Sequence, residues 1–404
     1  MTAAACRRPR ASTLLALARD LVPRFCGTLA ELVGIDSGSY SPDGVNRVAD
    51  RVQDRLDGLG FTVERIALPP GAGGQRSGDA LVARRPGRLS AAQGGRRVLL
   101  AAHMDTVFDD GTARQRPFTV RDGLAHGPGV CDDKGGLVAG LTALGVLAEA
   151  GLDDYRELVF LATPDEEIGS PASRAVTERV AGQCDVALAL ECARENGDLV
   201  VARKGVTDIR VTVTGTAAHA GVEPERGANA ALAAAHLVVA LQALNGRWDG
   251  VTVNVGVIRA GTRTNIVCPE AELHVEVRSS TAAGIDAALT AIEAAAASPA
   301  VPGTSARVEQ LDFCAPMEQT PAVRELLATA RTLGAELGID VRATATGGVG
   351  DANLIAGVGT PVLDGLGPVG GADHTPGEWL DLGSVPTRVA LLAALIATVG
   401  DGRA

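Results

Sequence analysis

Aromatic side chains are scarce in this sequence, whose 404 residues include six Phe, two Tyr and two Trp. Proteins that bind single-stranded nucleic acid stack the bases on aromatic side chains, so this scarcity argues against that class. Positive charge is also in deficit, since 37 Lys and Arg face 48 Asp and Glu and leave a net charge of −11. The longest basic run is Arg7-Arg8-Pro9-Arg10. Because an acidic chain repels polyanions, we expect no nucleic acid partner.

Long apolar runs and paired cysteines are missing as well. No run of 18 apolar residues occurs, so we expect no membrane span. The seven cysteines are odd in number and show no C-x-x-C spacing, which argues against a disulfide framework or a structural zinc knuckle. Reduced thiols in a cytoplasmic protein are our interpretation. The length suits two or three domains, and a hydrophobic content of 46% suits folded cores.

Short apolar runs alternate with helical patterns over most of the chain, which favours an α/β fold with functional residues at the strand ends. The predicted strands of this part are 97–102, 157–163 and 185–190, and the predicted helices are 12–33, 45–59, 135–150, 321–337 and 385–399. Near residue 205 the order changes to strand-helix-strand-strand-helix, at 208–214, 229–244, 251–258, 271–278 and 282–297. This order is typical of a small α+β unit inserted into the first. Gly- and Pro-rich stretches at 69–74 and 347–371 predict loops.

Five segments concentrate side chains that bind metals: AAHMDT at 101–106, GPGVCDDKGG at 127–136, TPDEEIGS at 163–170, LE at 190–191 and GADHTP at 371–376. His103 and Asp105 are two residues apart in an extended segment, so both point the same way. A carboxylate that orients a histidine ligand is a common feature of metal sites. Adjacent Glu166 and Glu167 can point in opposite directions, one to a metal and one to a water. We expect Asp109, Asp110 and Asp165 to be solvated.

The segments hold more ligands than one tetrahedral ion takes. Two histidines and three carboxylates suit two divalent ions bridged by one carboxylate, ~3.5–4 Å apart with a shared water. A free glutamate beside them would take the proton of that water and return it to the leaving amine. Imidazole and carboxylate ligands suit zinc, and cobalt or manganese accept similar sets.

The chain resembles metallopeptidase family 20, the aminoacylase and glutamate carboxypeptidase group of dizinc hydrolases. The resemblance runs from about residue 29 to residue 394, through HMDTVF, GPGVCDDKGG, PDEEIGSPASR, ARKGV, GTAAHAGVEPERGANA and TNIVCPEAELHVEVR. It implies a zinc-peptidase-type α/β catalytic domain, with a mixed sheet flanked by helices, at 1–204 and 317–404. It also implies an inserted α+β dimerisation domain, or lid, at 205–316.

The resemblance implies a role for each candidate residue. Asp132 would bridge two Zn²⁺ ions, and its peptide bond to Asp133 is often cis in the family. The other ligands would be His103, Glu167, Glu191 and His374. Asp105 would orient His103, and Glu166 would be the general base and acid. The remaining residues lie in the lid. His219 would stabilise the oxyanion in the partner's active site. Asn265 and Arg278 would line the pocket, where Arg278 would hold a substrate carboxylate.

The expected substrate follows from two details of the resemblance. Glu rather than Asp at 191, and GPG rather than GRG before Asp132, favour the glutamate carboxypeptidase side of the family. We therefore expect a homodimer that hydrolyses the amide of an N-acyl amino acid or of a short peptide with a free C-terminal carboxylate. A biosynthetic deacylase or amide-forming relative stays open. So does a non-catalytic metal- and ligand-binding dimer, although a chain that only binds need not keep Glu166.

Three residues depart from the family pattern. Arg263, in AGTRTN at 260–265, adds a cation near the expected pocket. Cys131 and Cys192 stand beside two of the expected ligands, where relatives carry other small or apolar residues. We interpret both as packing residues rather than additional ligands.

Overall fold

The computed structural model describes residues 11–71 and 74–402, so the basic run at 7–10 lies outside the described residues. The described residues form two compact units. The first is drawn from Met1–Val201, Gln319–Ala345 and Gly350–Ala404, and the second from Ala202–Glu318 and Thr346–Val349. The chain therefore leaves the first unit, builds the second and returns.

The helices, in chain order, are α1 Ala11–Val33, α2 Pro42–Gly58, α3 Thr112–Gln115, α4 Lys134–Glu149, α5 Arg174–Ala181, α6 Ala230–Gln242, α7 Ala282–Ala296, α8 Pro321–Glu336, α9 Asp351–Gly357 and α10 Val385–Gly400. The strands are β1 Thr62–Ile66, β2 Ala80–Pro86, β3 Arg97–His103, β4 Thr119–Arg121, β5 Leu124–His126, β6 Glu157–Thr163, β7 Val186–Ala189, β8 Leu199–Arg203, β9 Gly205–Thr214, β10 Thr252–Ala260, β11 Glu270–Ser279, β12 Ser305–Cys314, β13 Ala343–Thr346, β14 Val362–Leu363, β15 Gly370–Gly371 and β16 Trp379–Asp381. Within the described part of the chain, none of the helices has the length and hydropathy of a membrane span.

A six-stranded mixed sheet forms the centre of the first unit, in the order β1-β2-β6-β3-β7-β14. β1, β2 and β6 pair antiparallel, whereas β6, β3, β7 and β14 pair parallel. His103 at the end of β3 is in register with Thr163 at the end of β6. The carboxyl ends of the parallel strands therefore meet at one edge, where open α/β sheets bind their ligands.

Apolar helices cover this sheet and confirm the predicted α/β architecture. α1, α4 and α10 pack on one another, and both α4 and α10 contact β3. Most of α10 (VPTRVALLAALIATVG) is buried, including Arg388, which donates to the carbonyls of Gly365 and Gly367. A smaller antiparallel sheet, β15-β16-β5-β4, completes the unit.

The second unit is an antiparallel four-stranded sheet in the order β10-β11-β9-β12, packed against α6 and α7. The Asn229 side chain caps α6 by accepting from the Leu232 N–H, and Thr281 caps α7 by accepting from the Gly284 N–H. The five predicted elements of this unit are confirmed. β12 is an addition to them: it is an edge strand with a mostly exposed sequence, SARVEQLDFC, that lacks a clear apolar alternation.

The prediction of an uninterrupted loop over 347–371 is wrong. This stretch contains α9, β14 and β15. α9 has only seven residues, fewer than an isolated helix needs in water. Five of them, Asp351–Ile355, are buried, so tertiary packing stabilises the helix.

Two glycines of α4 test how closely this helix approaches the sheet. A Cβ at Gly136 would overlap the carbonyl oxygen of Leu190 and the Asp133 carboxylate, whereas one at Gly145 would meet its nearest neighbour, Leu21, at 3.6 Å. We expect Gly136→Ala to lower the free energy of unfolding by ~1–3 kcal/mol through overpacking. Gly145→Ala, the matched control, should raise it by about 0.5–1 kcal/mol through helix propensity. Equal unfolding midpoints for the two variants would contradict the close approach.

Candidate metal centre

The ends of three parallel strands and two loops supply the candidate side chains. His103 is the last residue of β3, and Glu191 lies two residues beyond β7. Glu166 and Glu167 begin a short 3-10 turn, Glu166–Ile168, that follows β6. The two other ligand-type residues come from loops: Asp132 just before α4 and His374 after β15. Chain reversals at one edge of the sheet thus gather residues that are far apart in sequence.

The first group of ligand atoms forms around His103. Its Nε2 atom lies 3.0 Å from Asp132 Oδ1 and 3.6 Å from Glu191 Oε1. The His103 side chain is 1% exposed, so its donor nitrogen is fixed inside the first unit. One imidazole nitrogen and two carboxylate oxygens converge here, which is a donor set typical of a divalent metal.

The second group shares Asp132 with the first. His374 Nε2 lies 3.0 Å from Asp132 Oδ2 and 3.1 Å from Glu167 Oε2. Asp132 therefore directs one carboxylate oxygen to each group, the arrangement of a bridging ligand. The peptide bond between Asp132 and Asp133 is cis, as the resemblance implies.

Unsatisfied polar atoms at these groups test whether they fit a metal. Glu167 Oε1 and Asp133 Oδ1 are buried and find no hydrogen-bond partner in the described chain. Hydrogen bonds to Asp132 and Glu167 raise the pKa of His374 to about 11. A site that holds a proton this strongly has an excess of negative charge, which a divalent cation neutralises. The donor set, the shared carboxylate and the unpartnered oxygens together fit bound divalent metal.

Glu166 stands beside both groups without belonging to either. Its Oε2 atom lies 4.0 Å from His103 Nε2, and its side chain is 12% exposed. Burial raises the pKa of Glu166 well above its usual value, although the charge of His103 opposes this rise. A carboxylate with a raised pKa next to a metal site can accept and return a proton near neutral pH.

Asp105 organises the ligands from behind. His103 Nδ1 lies 3.1 Å from the Asp105 carbonyl oxygen and 3.3 Å from Asp105 Oδ1, so Asp105 is placed to accept the Nδ1 proton, and Nε2 is the ring nitrogen that faces the other ligand atoms. The same carboxylate accepts the backbone N–H groups of Glu166 (3.1 Å) and Glu167 (3.2 Å), and the Ser39 hydroxyl (2.7 Å). One buried side chain thus sets the orientation of a ligand and of the turn that carries two more functional groups.

Glu378, which the sequence patterns do not single out, holds the loop of Asp132. Its side chain is buried, and its carboxylate accepts the N–H groups of Gly129 (2.9 Å), Cys131 (2.8 Å) and Asp132 (3.0 Å). Burial raises the pKa of Glu378 to about 7, against the lowering effect of these bonds. The Glu378 carboxylate therefore fixes the backbone of the loop that contains Asp132, the ligand shared by both groups.

The prediction that Asp165 is solvated is wrong. Its side chain is buried and accepts the N–H groups of Ala172 (2.7 Å) and Ser173 (3.3 Å). Burial accordingly raises the pKa of Asp165. Asp109 and Asp110 are exposed, as predicted.

Asp351, in the stretch predicted as a loop, is a third buried carboxylate, after Asp105 and Asp165, at the turn Glu166–Ile168, hereafter the glutamate turn. It accepts the hydroxyls of Thr163 (2.6 Å) and Ser170 (2.7 Å), the residues that precede and follow this turn. The turn is thus held at both ends.

Comparison with known proteins agrees with this geometry. The model of peptidase family M20/M25/M40 matches residues 99–398. Carboxypeptidase G2 from Pseudomonas sp. (strain RS-16) is 32% identical over 400 residues, which cover 98% of this chain and 94% of that protein. The chain belongs to the M20 peptidase family. It is therefore a metallopeptidase of a metal-dependent family, and the two ligand groups are its candidate metal-binding residues.

Solved structures share the fold of this M20 peptidase. Aminopeptidase PepT from Bacillus cereus superposes with a TM-score of 0.75 at 24% identity, covering 94% of this chain and 98% of that one. The di-peptidase Dug1p from Saccharomyces cerevisiae gives a TM-score of 0.66 at 15% identity, covering 98% and 99%. At these identities the likeness concerns the fold alone.

Three predicted site residues lie in the second unit of the M20 peptidase. His219 is exposed, and its Nδ1 accepts the Gly221 N–H at 3.2 Å, which leaves the ring proton on Nε2. Asn265 is exposed as well, and its carbonyl accepts the Ala220 N–H at 3.0 Å. Arg278 donates through Nε and Nη2 to Glu276, at 2.8 and 3.0 Å, and through Nη1 to the Gly347 carbonyl.

The two cysteines beside the ligands belong to neither group of metal-binding atoms in the described chain. The Cys192 thiol donates to the Cys131 carbonyl at 3.0 Å. Burial is the main cause that raises the pKa of Cys192 to about 11, so the group stays a neutral thiol. Arg263, the other departure, is exposed in the second unit.

Proposed function

We propose that this M20 peptidase hydrolyses the amide bond of an N-acyl amino acid or of a short peptide with a free C-terminal carboxylate. The observation that carries the hydrolytic part is Asp132, which directs its two oxygens to two separate ligand groups while Glu166 stays free beside them. Two Zn²⁺ ions fit this arrangement, held by His103, Asp132 and Glu191 on one side and by Asp132, Glu167 and His374 on the other. Co²⁺ and Mn²⁺ suit the same donors.

The protein's own groups move the proton in this proposal. Bound divalent ions would polarise the amide carbonyl and lower the pKa of the attacking water. Glu166 accepts the proton of that water and donates it to the leaving nitrogen. Its burial supports both steps, because burial raises the pKa of the carboxyl group and so makes its protonated form easier to reach. Asp105 keeps Glu166 in place through the backbone N–H that it accepts.

The substrate class is supported by likeness and by one ligand. Carboxypeptidase G2, which is 32% identical over nearly the whole chain, is a carboxypeptidase by name. Carboxypeptidases cleave the amide bond next to a residue that has a free carboxylate. Glu191, 3.6 Å from His103, provides the glutamate that the family resemblance associates with substrates of this kind. We propose that Asn265 and Arg278 line the substrate pocket and that Arg278 holds the substrate carboxylate, which would then replace Glu276 as the partner of the guanidinium group.

The deciding experiment joins metal analysis to a substrate panel. Metal content of the purified protein would be measured, and N-acyl amino acids and dipeptides would be tested before and after chelation. We expect two ions per chain and a chelator-sensitive release of one amino acid. Two ions without turnover of any panel member would contradict the proposed substrate class and favour a specialised deacylase or amide-forming enzyme. A protein that takes up no metal would contradict the proposed centre.

We further propose that the second unit forms a homodimer and supplies His219 to the partner's active site. Helix α6 supports this, because its apolar residues Leu232 and Val239 are 50% and 71% exposed. The edge strand β10 adds Val257 and Ile258, which are 40% and 52% exposed. Exposed apolar side chains grouped on one unit are typical of an interface. The thiols of Cys26, Cys131, Cys184, Cys192 and Cys268 are free, which supports the proposed cytoplasmic location.

Sedimentation would test the dimer. We expect twice the chain mass of 41.0 kDa. Val239→Glu should weaken association by at least about tenfold, because it places a charge in an apolar contact. Val120→Glu is the control, since Val120 on β4 is 50% exposed in the first unit. A monomeric native protein, or equal effects of the two substitutions, would contradict the proposed interface.

A further inference from the structure

A cavity of about 510 Å³ adjoins the candidate metal centre within the first unit. Three segments line it, at 38–41, 106–110 and 167–168. Glu167 belongs both to this lining and to the second ligand group. The cavity therefore reaches the metal centre, and its volume is in the range of small-molecule sites.

Glu167 connects the cavity to the candidate metal centre. The Glu167 side chain is 4% exposed, and its Oε1 atom has no hydrogen-bond partner within the described residues. Leaving a buried carboxylate oxygen unpaired costs free energy unless a ligand or ion completes it. Bound metal would complete this oxygen, so a substrate group in the cavity would lie beside the metal centre.

The outer wall of the cavity is aromatic and apolar. Tyr40 is 63% exposed and Val107 is 41% exposed. The Phe108 ring is fixed by the Arg116 guanidinium, which lies 4.5 Å from its centroid. In a chain with only six Phe and two Tyr, one of each lines this single cavity. Such walls suit a flat or apolar group.

The polar part of the wall is acidic. Asp109 and Asp110 line the cavity and are exposed, and Asp110 Oδ2 accepts the Ser41 hydroxyl at 3.1 Å. No lysine, arginine or histidine of the described chain is in the lining. The wall thus has negative charge and hydrogen-bond acceptors, which attract a cation and repel a carboxylate.

We propose that this cavity binds the acyl side of the substrate, and that Asp109 and Asp110 select acyl groups with an aromatic or apolar body ending in an ammonium group. The proposal rests on the proposed function, in which the free carboxylate belongs to the leaving amino acid. That carboxylate would be repelled by the two aspartates, so the cavity is left to the acyl group. Tyr40 and Phe108 would contact the body of this group, and the aspartates its end.

Three substrates of the same amino acid test the selection. They are its N-[4-(aminomethyl)benzoyl], N-(4-methylbenzoyl) and N-(4-carboxybenzoyl) derivatives, which share shape and differ in charge. With the metal-loaded full chain, we expect kcat/KM to be about tenfold higher for the aminomethyl than for the methyl compound, and lowest for the carboxy compound. Asp109→Asn and Asp110→Asn should each reduce the aminomethyl preference roughly threefold. The measured quantity is the ratio of kcat/KM for the aminomethyl compound to kcat/KM for the methyl compound, so a general change in activity of either variant cancels.

Controls separate the selection from general effects. Asp54→Asn removes a charge at a side chain that is 70% exposed on α2, and it should leave the preference unchanged. Added salt should reduce the preference, because the aspartates are exposed. Equal kcat/KM for the three compounds, or a preference that survives both substitutions, would overturn the inference while the hydrolysis itself upholds the proposed function. Absence of hydrolysis of every N-acyl amino acid would overturn the proposed function, and the inference with it.

Discussion

Replacing Glu166 with glutamine is expected to lower kcat by roughly 10²–10⁴-fold, the usual contribution of a general acid and base. Glutamine keeps the size of the side chain but cannot accept and return a proton. Glu166 belongs to neither candidate ligand group, and its Oε2 atom lies 4.0 Å from His103 Nε2. Bound metal should therefore stay at the native level, and KM should change much less than kcat.

The control for Glu166→Gln is the same chemical change at an exposed glutamate. Glu149 ends α4 and is exposed, so Glu149→Gln should leave kcat and metal content unchanged. Metal content measured on the Glu166 variant distinguishes a lost proton carrier from a damaged site. A decrease in kcat of only a few fold, with full metal content, would refute the role given to Glu166.

The sequence predicts the site wherever a ligand follows a strong local pattern. His103 ends a buried strand with a regular apolar run, and the glutamate pair follows a second one. Strands of this kind are identified from hydrophobicity alone, and parallel strands bring their carboxyl ends together. The convergence of His103 and Glu191 to 3.6 Å is therefore a consequence of the predicted architecture.

The buried carboxylates that support the candidate ligands, Glu378 and Asp165, could not be predicted from local sequence patterns. Glu378 acts on Gly129, Cys131 and Asp132, which are about 250 positions away, through backbone N–H groups that have no sequence signature. Asp165 stands in an acidic triplet that looks like a solvated loop, and only the packing of the glutamate turn buries it. Burial of a single polar side chain depends on tertiary contacts, which local pattern does not record.

Weak elements were missed for a similar reason. β12 exposes most of its residues at the edge of a sheet, so it lacks the apolar alternation that marks β9. α9 is short and lies among glycines, which favour a loop in any local interpretation. Both elements owe their formation to the neighbours they pack against rather than to propensity.

Glu378→Gln tests whether the buried carboxylate positions the shared ligand. The native side chain accepts three N–H groups with its two oxygens. Glutamine has one acceptor oxygen, and its amide group would face a backbone donor. The loop should move, and Asp132 should lose its alignment with both ligand groups. We expect metal affinity to fall about 10–100-fold, as for residues that support metal ligands elsewhere.

Two readouts separate this positioning role from catalysis and from misfolding. At saturating metal, kcat of Glu378→Gln should recover to within about tenfold of the native value, whereas kcat of Glu166→Gln should stay roughly 10²–10⁴-fold below it. Glu378→Asp keeps the charge on a shorter side chain and should bind metal more tightly than the glutamine variant. Native metal affinity in a folded Glu378→Gln protein would show that the loop holds Asp132 without this carboxylate. If metal affinity falls in the Glu378→Gln variant and excess metal restores kcat, the alignment of Asp132 depends on Glu378, a contact that forms only in the folded chain.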